Sequence, residues 1–177
     1  RQAGRPVPFE KVEVDWSKTM AWGSGGYYAR ISLNVQGREP QGVIPPARYE
    51  QVRDRLAADL QAIPDPQGRP LNTRCWRPED IYQQVRRLPP DLIVYLGDLR
   101  WRAVGSFGFD NIYTFENDTG PDDANHAQDG LFIFYDPRRN LGGQVLSGLQ
   151  LMDVAPTVLR LMDQPVPHDM QGRIIEL

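Results

Sequence analysis

The sequence predicts an α/β protein whose sheet is incomplete. Segments with strand character alternate with segments of helical periodicity along the 177 residues. Two short runs, 91–96 and 131–135, are apolar at nearly every position, which is typical of strands covered on both faces in layered folds. Few such core strands are present, and no clear series of βαβ units accompanies them. We therefore expect further strands of the sheet to come from residues outside this chain.

The first third of the chain predicts a lead-in, a hairpin and one long helix. Residues 1–16 contain prolines and a glycine without a clear period, so we expect an irregular segment that resembles a severed linker. Aromatic and β-branched residues on both sides of a glycine cluster predict a hairpin with strands over 18–22 and 27–34. Apolar residues then recur every three or four positions, which predicts an amphipathic helix over 49–63, ended by two prolines.

The rest of the chain predicts shorter elements around a long loop. A short strand over 71–76 and a one-turn helix beginning at 77 precede the apolar strand, and 100–104 is a further candidate strand. Residues 107–130 are rich in Asp, Asn and Gly, and a loop this long inside a compact domain is usually functional or disordered. Near the end, Asp153 can cap a last helix that tolerates a proline in its first turn.

Charge and composition exclude several classes of function. The net charge is −3, with both signs interleaved, whereas a protein that grips nucleic acid needs a basic face. One cysteine and two histidines cannot fill a four-ligand structural zinc site from nitrogen and sulfur alone, so any metal chemistry needs carboxylates or another chain. No apolar run approaches the ~18 residues of a membrane span, so we expect a soluble, cytoplasmic protein with no membrane or nucleic-acid partner.

The densest polar cluster lies directly before the apolar run at 131–135. Its candidate site residues are Asp118, Asp122, Asp123, Asn125, His126 and Asp129. A flexible loop that leads into a buried strand brings oxygen donors and one imidazole to the edge of the sheet, where ligand sites of α/β proteins tend to lie. The cluster does not match a calcium-binding EF-hand, because its glycine and glutamate positions hold Asp123 and Asp129.

The spacing alone leaves the roles within this cluster open. His126 could be a metal ligand, a general acid or base, or a histidine satisfied by neighbouring carboxylates. Asp129 could accept a hydrogen bond from that imidazole, although Asp-Gly before a strand is also ordinary turn chemistry.

Nucleophile and phosphate-binding motifs are missing from the sequence. Ser106 lacks the glycine two residues earlier that a nucleophile elbow requires, and no Gly-Lys-Ser/Thr loop occurs. Cys75 has no neighbouring histidine and is most simply a structural thiol. We therefore name no catalytic nucleophile in this chain.

Five segments, in this order, resemble the C-terminal part of the type I phosphodiesterase and nucleotide pyrophosphatase group in the alkaline phosphatase superfamily. They are 15–22, 34–42, 90–95, 125–132 and 151–159. The most specific pieces are the His-x-x-Asp-Gly motif that begins at His126 and the Asp-Val-Ala-Pro-Thr motif at 153–157. The resemblance covers nearly the whole chain, and it implies a partial alkaline-phosphatase-like layered sheet with flanking helices that lacks the N-terminal half.

The resemblance also implies a chemistry. Enzymes of this group hold two divalent metal ions, here zinc or manganese, that clamp a phosphoester or nucleotide substrate while a threonine or serine attacks phosphorus. His126 matches their last metal ligand. The nucleophile and the other ligands lie upstream in relatives, so residues 1–177 would be the C-terminal portion of a larger catalytic domain. Its partner would be the missing N-terminal half, and we expect the chain alone to be inactive and to hold no metal.

Two alternatives stay open at the level of the sequence. The chain could be a binding or regulatory module that kept the fold and lost the chemistry. It could also be a structural half that associates with itself, because an incomplete sheet leaves an unpaired edge and apolar surface.

Overall fold

The computed structural model describes residues 6–115 and 124–177. It divides the chain into two compact units, Arg1–Gly130 and Leu131–Leu177. Each unit has its own elements and its own hydrogen-bond network. No helix within the described ranges is long and apolar enough to cross a membrane.

The first unit is built around a four-stranded antiparallel sheet. In the described part of this unit the strands are β1 Val7–Pro8, β2 Ala21–Gly25, β3 Ala29–Leu33, β4 Arg74–Trp76, β5 Leu92–Tyr95 and β6 Ser106–Phe107. The main sheet has the order β2-β3-β5-β4, and β1 and β6 form a separate two-stranded ladder. The helices are α1 Tyr49–Gln61 and α2 Pro78–Ile81, with 3₁₀ turns at Phe9–Lys11 and Pro46–Arg48.

Strands β2 and β3 form the predicted hairpin, and a glycine closes it. Ala21 pairs with Leu33 at the open end and Gly25 with Ala29 next to the turn. Gly25 has a φ of +149°, and a Cβ at this position would lie 2.1 Å from the carbonyl oxygen of Tyr28. Because no side chain fits that approach, only glycine allows this turn.

Helix α1 covers one face of the main sheet. Ala29 of β3 and Leu92 and Val94 of β5 are buried on that face. Their partly buried neighbours include Leu56 and Leu60 of α1. Side chains alternate between the two faces of a strand, and apolar positions of a helix recur every three or four residues, so each element presents one apolar side to this core.

A buried carboxylate joins the elements of this unit. The side chain of Asp91, directly before β5, is only 3% exposed. It accepts a hydrogen bond from the backbone N–H of Leu33 at 2.6 Å and one from the Tyr49 hydroxyl at 2.6 Å. Two guanidinium nitrogens of Arg38 bind its two oxygens, each at 2.7 Å. One side chain therefore connects the end of β3, the following turn, the start of α1 and the start of β5.

The surroundings of Asp91 shift two pKa values in opposite directions. Burial acts to raise the pKa of Asp91, but the hydrogen bonds from Arg38 and Tyr49 outweigh it and hold that pKa below its ordinary value. Burial, together with the hydrogen bond to Asp91, raises the pKa of Tyr49 to about 12. The carboxylate is thus ionised and the phenol is protonated at neutral pH.

Most elements predicted for the first unit are confirmed. The helix over 49–63 appears as Tyr49–Gln61, the strand within 71–76 as Arg74–Trp76 and the apolar strand within 91–96 as Leu92–Tyr95. Two predictions are wrong. Residues 100–104 form no strand, because the chain turns back after β5 and the N–H of Trp101 bonds to the carbonyl of Leu96. The lead-in is not wholly irregular, since β1 pairs with β6.

The second unit contains one helix whose start is tied to the end of the chain. A 3₁₀ turn at Leu151–Asp153 leads into α3, Val154–Leu161, which confirms the predicted last helix. The predicted side-chain cap is wrong, because Asp153 makes no capping hydrogen bond to α3 and binds the start of the 3₁₀ turn instead. The Asp153 carboxylate accepts hydrogen bonds from the backbone N–H groups of Gln150 and Arg173, each at 2.9 Å. The Thr157 hydroxyl donates to the Asp153 carbonyl at 2.6 Å and accepts from the N–H of Ile175 at 2.8 Å. The Asp-Val-Ala-Pro-Thr motif therefore has a structural role here.

The strand predicted over 131–135 is wrong. Leu131, Ile133 and Tyr135 are 88%, 78% and 81% exposed, and the segment belongs to no strand ladder among the described residues. A continuous apolar run becomes a buried strand only where neighbouring strands and covering layers exist on both sides. The described part of the second unit offers neither, so the run stays on the surface. The molecule is thus mixed α/β, with two antiparallel sheets and few helices.

We predict that replacing the buried carboxylate destabilises the first unit strongly. Asp91→Asn leaves the Arg38 guanidinium without its buried counter-ion, and breaking such a pair costs about 3–5 kcal/mol of unfolding free energy. Urea denaturation followed by tryptophan fluorescence measures this loss, because all four tryptophans lie in the first unit. Asp59→Asn, which removes a surface partner of Arg55, is the matched control and should cost less than about 1 kcal/mol. Equal costs would contradict the prediction.

The same variant should flatten the acid dependence of stability. The pKa of Asp91 is lower in the folded state than its unfolded value of about 3.9. Its contribution is therefore present above that unfolded pKa and is lost as the pH falls through the folded pKa. Denaturation midpoints measured from neutral pH to below pH 4 should fall more steeply for the wild type than for Asp91→Asn.

For the second unit, we predict that the hydroxyl of Thr157 holds the C-terminal segment. Thr157→Val keeps the shape of the side chain but leaves the buried N–H of Ile175 unsatisfied, which costs about 1–3 kcal/mol. Hydrogen exchange at the Ile175 amide should accelerate accordingly. Thr157→Ser retains the hydroxyl and should exchange nearly as slowly as the wild type; equal exchange in all three proteins would exclude this role.

Candidate functional site

The His126 imidazole stacks on an aromatic ring from the hairpin turn. Its centroid lies 4.1 Å from that of Tyr27, and the two rings are 13° from parallel. His126 is exposed, whereas Tyr27 is half-buried. Within the described residues, the only hydrogen bond of His126 is made by its backbone. Neither ring nitrogen has a hydrogen-bond partner among those residues.

The two rings meet because the backbone segments next to them are both hydrogen-bonded to residues 97–104. The N–H of Ala103 donates to the carbonyl of Gly26 at 2.9 Å, which attaches the hairpin turn. The side-chain amide of Asn125 donates to the carbonyl of Leu99. The amide oxygen of Asn125 in turn accepts from the N–H of His126 at 2.9 Å. Asn125, which the sequence placed among the candidates, thus fixes the backbone next to the imidazole.

Segment 97–104 has an unusual backbone. Gly97, Asp98 and Leu99 follow one another with φ values of +56°, +55° and +67°. Left-handed conformations of non-glycine residues cost about 1–2 kcal/mol each, so packing must compensate for the two that are not glycine. Leu99 is buried, and a Cβ on Gly97 would lie 2.6 Å from Trp101 Cδ1. Strained turns that surrounding contacts impose are common at functional sites.

A cation lies beside the stacked pair. The Arg102 guanidinium carbon is 5.9 Å from the centroid of the Tyr27 ring, within the range of a cation–π contact. Arg102 comes from the same strained segment that anchors both rings.

The structure describes only one of the remaining predicted residues, Asp129. Asp118, Asp122 and Asp123 lie outside the described residues. Asp129 is exposed and makes no hydrogen bond with the His126 ring. The role of Asp129 as a partner of the imidazole therefore stays a prediction, and so does metal ligation by His126.

A metal site needs several His, Cys, Asp or Glu side chains close together. In the parts of the chain that the structure describes, no three His, Cys, Asp or Glu side chains come together in a way that could hold a metal ion. The exposed imidazole of His126 fits one ligand position, and the described residues bring no further set of ligands to it. No step of a reaction can therefore be routed through metal ions bound by these residues alone.

Two other features of the first unit do not belong to the candidate site. A surface pocket lined by residues that include Lys18, Met20, Ile44 and Arg48 lies at the open end of the hairpin, away from Tyr27. Burial raises the pKa of the Cys75 thiol to about 11, so this thiol is protonated at neutral pH and is not an activated nucleophile.

Sequence reasoning missed Tyr27, Leu99 and Arg102. Tyr27 follows a glycine-rich turn, but nothing in the sequence indicates which ring it will meet almost 100 residues later. The Gly97-Asp98 pair after an apolar strand signals a turn, yet the direction of that turn depends on the packing of Leu99 and Trp101.

Comparison with known proteins yields a partial likeness. No family model matches the chain, and no solved structure matches it. A 60-residue segment is 43% identical to a 2,3-bisphosphoglycerate-independent phosphoglycerate mutase of Cellvibrio japonicus (strain Ueda107). The match covers 33% of this chain but only 11% of the mutase. Such mutases belong to the alkaline phosphatase superfamily, so the likeness supports the superfamily, although it does not extend to the phosphodiesterase group within it.

Proposed function

We propose that this chain is the C-terminal portion of a metal-dependent phosphodiesterase or nucleotide pyrophosphatase-like phosphohydrolase. In this proposal it supplies one metal ligand, His126, and the loop that surrounds it. The observation that carries the proposal is the exposed imidazole, stacked on Tyr27, in the motif that resembles the last ligand of that group. The partial likeness to a phosphoglycerate mutase supports the wider superfamily.

The residues of this chain would contribute binding and orientation. The lone pair of an imidazole nitrogen lies in the plane of the ring, so a ring held by its face presents its ligating atom at its edge. Two divalent ions, zinc or manganese, would supply nucleophile activation and charge neutralisation when bound. Arg102 lies against the Tyr27 ring, and Asn125 keeps the backbone of His126 in place.

The other ligands and the nucleophile would come from the N-terminal half of the same polypeptide. The exposed apolar run 131–135 supports such a partner. Monomeric soluble proteins rarely expose several large apolar side chains next to one another. Val158, Leu161 and Met162 at the end of α3 are also exposed or partly exposed. By this proposal, residues 1–177 alone do not turn over substrate.

We predict that His126 is required by the full-length protein. With Zn²⁺ or Mn²⁺ present, hydrolysis of bis-p-nitrophenyl phosphate should fall by more than about a hundredfold in His126→Ala, since even groups that only support a metal ligand contribute 10–100-fold. His168→Ala removes the other exposed histidine and should keep the wild-type rate. Parallel assays with a nitrophenyl monoester and with a phosphoglycerate separate phosphodiester hydrolysis from other chemistry of the superfamily.

The proposal fails if the full-length protein hydrolyses the diester equally well with and without His126. It also fails if the 177 residues alone show turnover, because the missing ligands would then not be needed. A rate that depends on His126 only with the monoester or the phosphoglycerate would retain the superfamily and exclude the phosphodiesterase.

The exposed apolar surface favours a second candidate, a non-catalytic module that associates with itself. In that case, sedimentation velocity of the chain should show dimers or larger species, and Ile133→Asp should shift them toward monomer. Leu88→Asp is the matched control, because Leu88 is equally exposed but lies outside the 131–135 run. A monomeric wild-type chain would exclude this candidate.

A further inference from the structure

We propose that Tyr27 is a positioning residue that sets the plane of the His126 imidazole. The inference deepens the proposed function and rests on it, because the orientation of this ring matters only if its nitrogens take part in binding. Three features of the molecule support this role: the ring geometry, the two backbone anchors and the contrast with the neighbouring Tyr28.

The first step is the geometry of the stack. At a centroid distance of 4.1 Å and an angle of 13°, the phenol ring covers one face of the imidazole. A face contact restricts rotation of the imidazole out of that plane and leaves its edge open. Because both nitrogens lie on the edge, the contact orients them without competing for their lone pairs.

The second step is that the stack joins distant parts of the chain. Tyr27 belongs to the hairpin turn, and His126 follows the polar loop, so no local rule of sequence spacing brings them together. Each is secured separately to 97–104, one through Gly26 and Ala103 and the other through Asn125 and Leu99. Two independent anchors make a fixed relation between the rings the expected outcome.

The third step concerns charge. The face of a tyrosine ring carries negative electrostatic potential and attracts positive charge. An imidazole that ligates a cation carries more positive charge than a free neutral one, so the stack stabilises the ligating ring more than the free ring. Phenylalanine has the same face, whereas an aliphatic side chain does not.

Tyr28 provides the contrast within the same turn. Its ring lies 6.0 Å from that of Tyr95, tilted by 57°, on a different set of neighbours. A general effect of removing an aromatic residue from this turn would therefore appear in Tyr28 variants too. An effect on His126 would appear only in Tyr27 variants.

The structural part of the experiment is NMR of the imidazole protons in the 177-residue chain. A stacked ring shifts the protons of His126 upfield, and His168, with no aromatic neighbour among the described residues, is the reference in the same spectrum. Tyr27→Leu should move the His126 signals to the position of His168. Tyr27→Phe should retain the upfield shift, and Tyr28→Leu should leave it unchanged. Should Tyr27→Leu fail to fold, Tyr27→Gln removes the ring and leaves a polar side chain at this partly exposed position.

The functional part uses the full-length protein. Tyr27→Leu should weaken Zn²⁺ or Mn²⁺ binding and lower kcat by about 10-fold or more, as expected for a residue that orients a metal ligand. Tyr27→Phe should restore both, and Tyr28→Leu should change neither. An unmoved His126 signal in Tyr27→Leu, or wild-type metal affinity and kcat, overturns the positioning role. If His126→Ala has no effect in the same assays, the proposed function itself fails, which is a distinct result.

Discussion

The first unit depends on the buried carboxylate of Asp91, which several partners hold in place. Asp91 binds the Arg38 guanidinium in a bidentate pair and accepts from Tyr49 and from the backbone of Leu33. A buried charge is tolerable only when such partners surround it. These contacts therefore fix the positions of β3, α1 and β5 relative to one another. Because β3 is one strand of the hairpin, the position of the turn that carries Tyr27 follows from the same interaction.

The segment that follows β5 anchors the candidate site. The chain leaves β5 through three consecutive left-handed residues. The packing of Leu99 and Trp101, and the hydrogen bond from the Trp101 N–H to the Leu96 carbonyl, keep this turn in place. Segment 97–104 then holds the hairpin turn on one side and Asn125 on the other. The rigid sheet thus supports a loop-borne imidazole through one strained connection, which is a common way to place a functional group on a stable scaffold.

The second unit is organised differently from the first. The Asp153 carboxylate and the Thr157 hydroxyl accept from backbone N–H groups of the turn before α3 and of the C-terminal segment, in which Ile175 is buried. Its large apolar residues remain largely outside. Among residues that the structure describes, the run 131–135 has the composition of a core strand without the layers of a core. Local pattern predicted the strand, and the lack of a neighbouring strand prevented it.

Local pattern by itself determined the hairpin, helix α1, the short elements near 74–81, strand β5 and the start of the last helix, because each depends on spacing, turn residues or capping within a few positions. It also singled out His126 and Asn125 as candidates. Only the tertiary structure decided that Tyr27 covers the imidazole, that 100–104 turns back and that 131–135 pairs with no strand in the described ranges. Those outcomes depend on which distant surfaces meet, and stacking, strain and strand pairing acquire their energies only when both partners are in place.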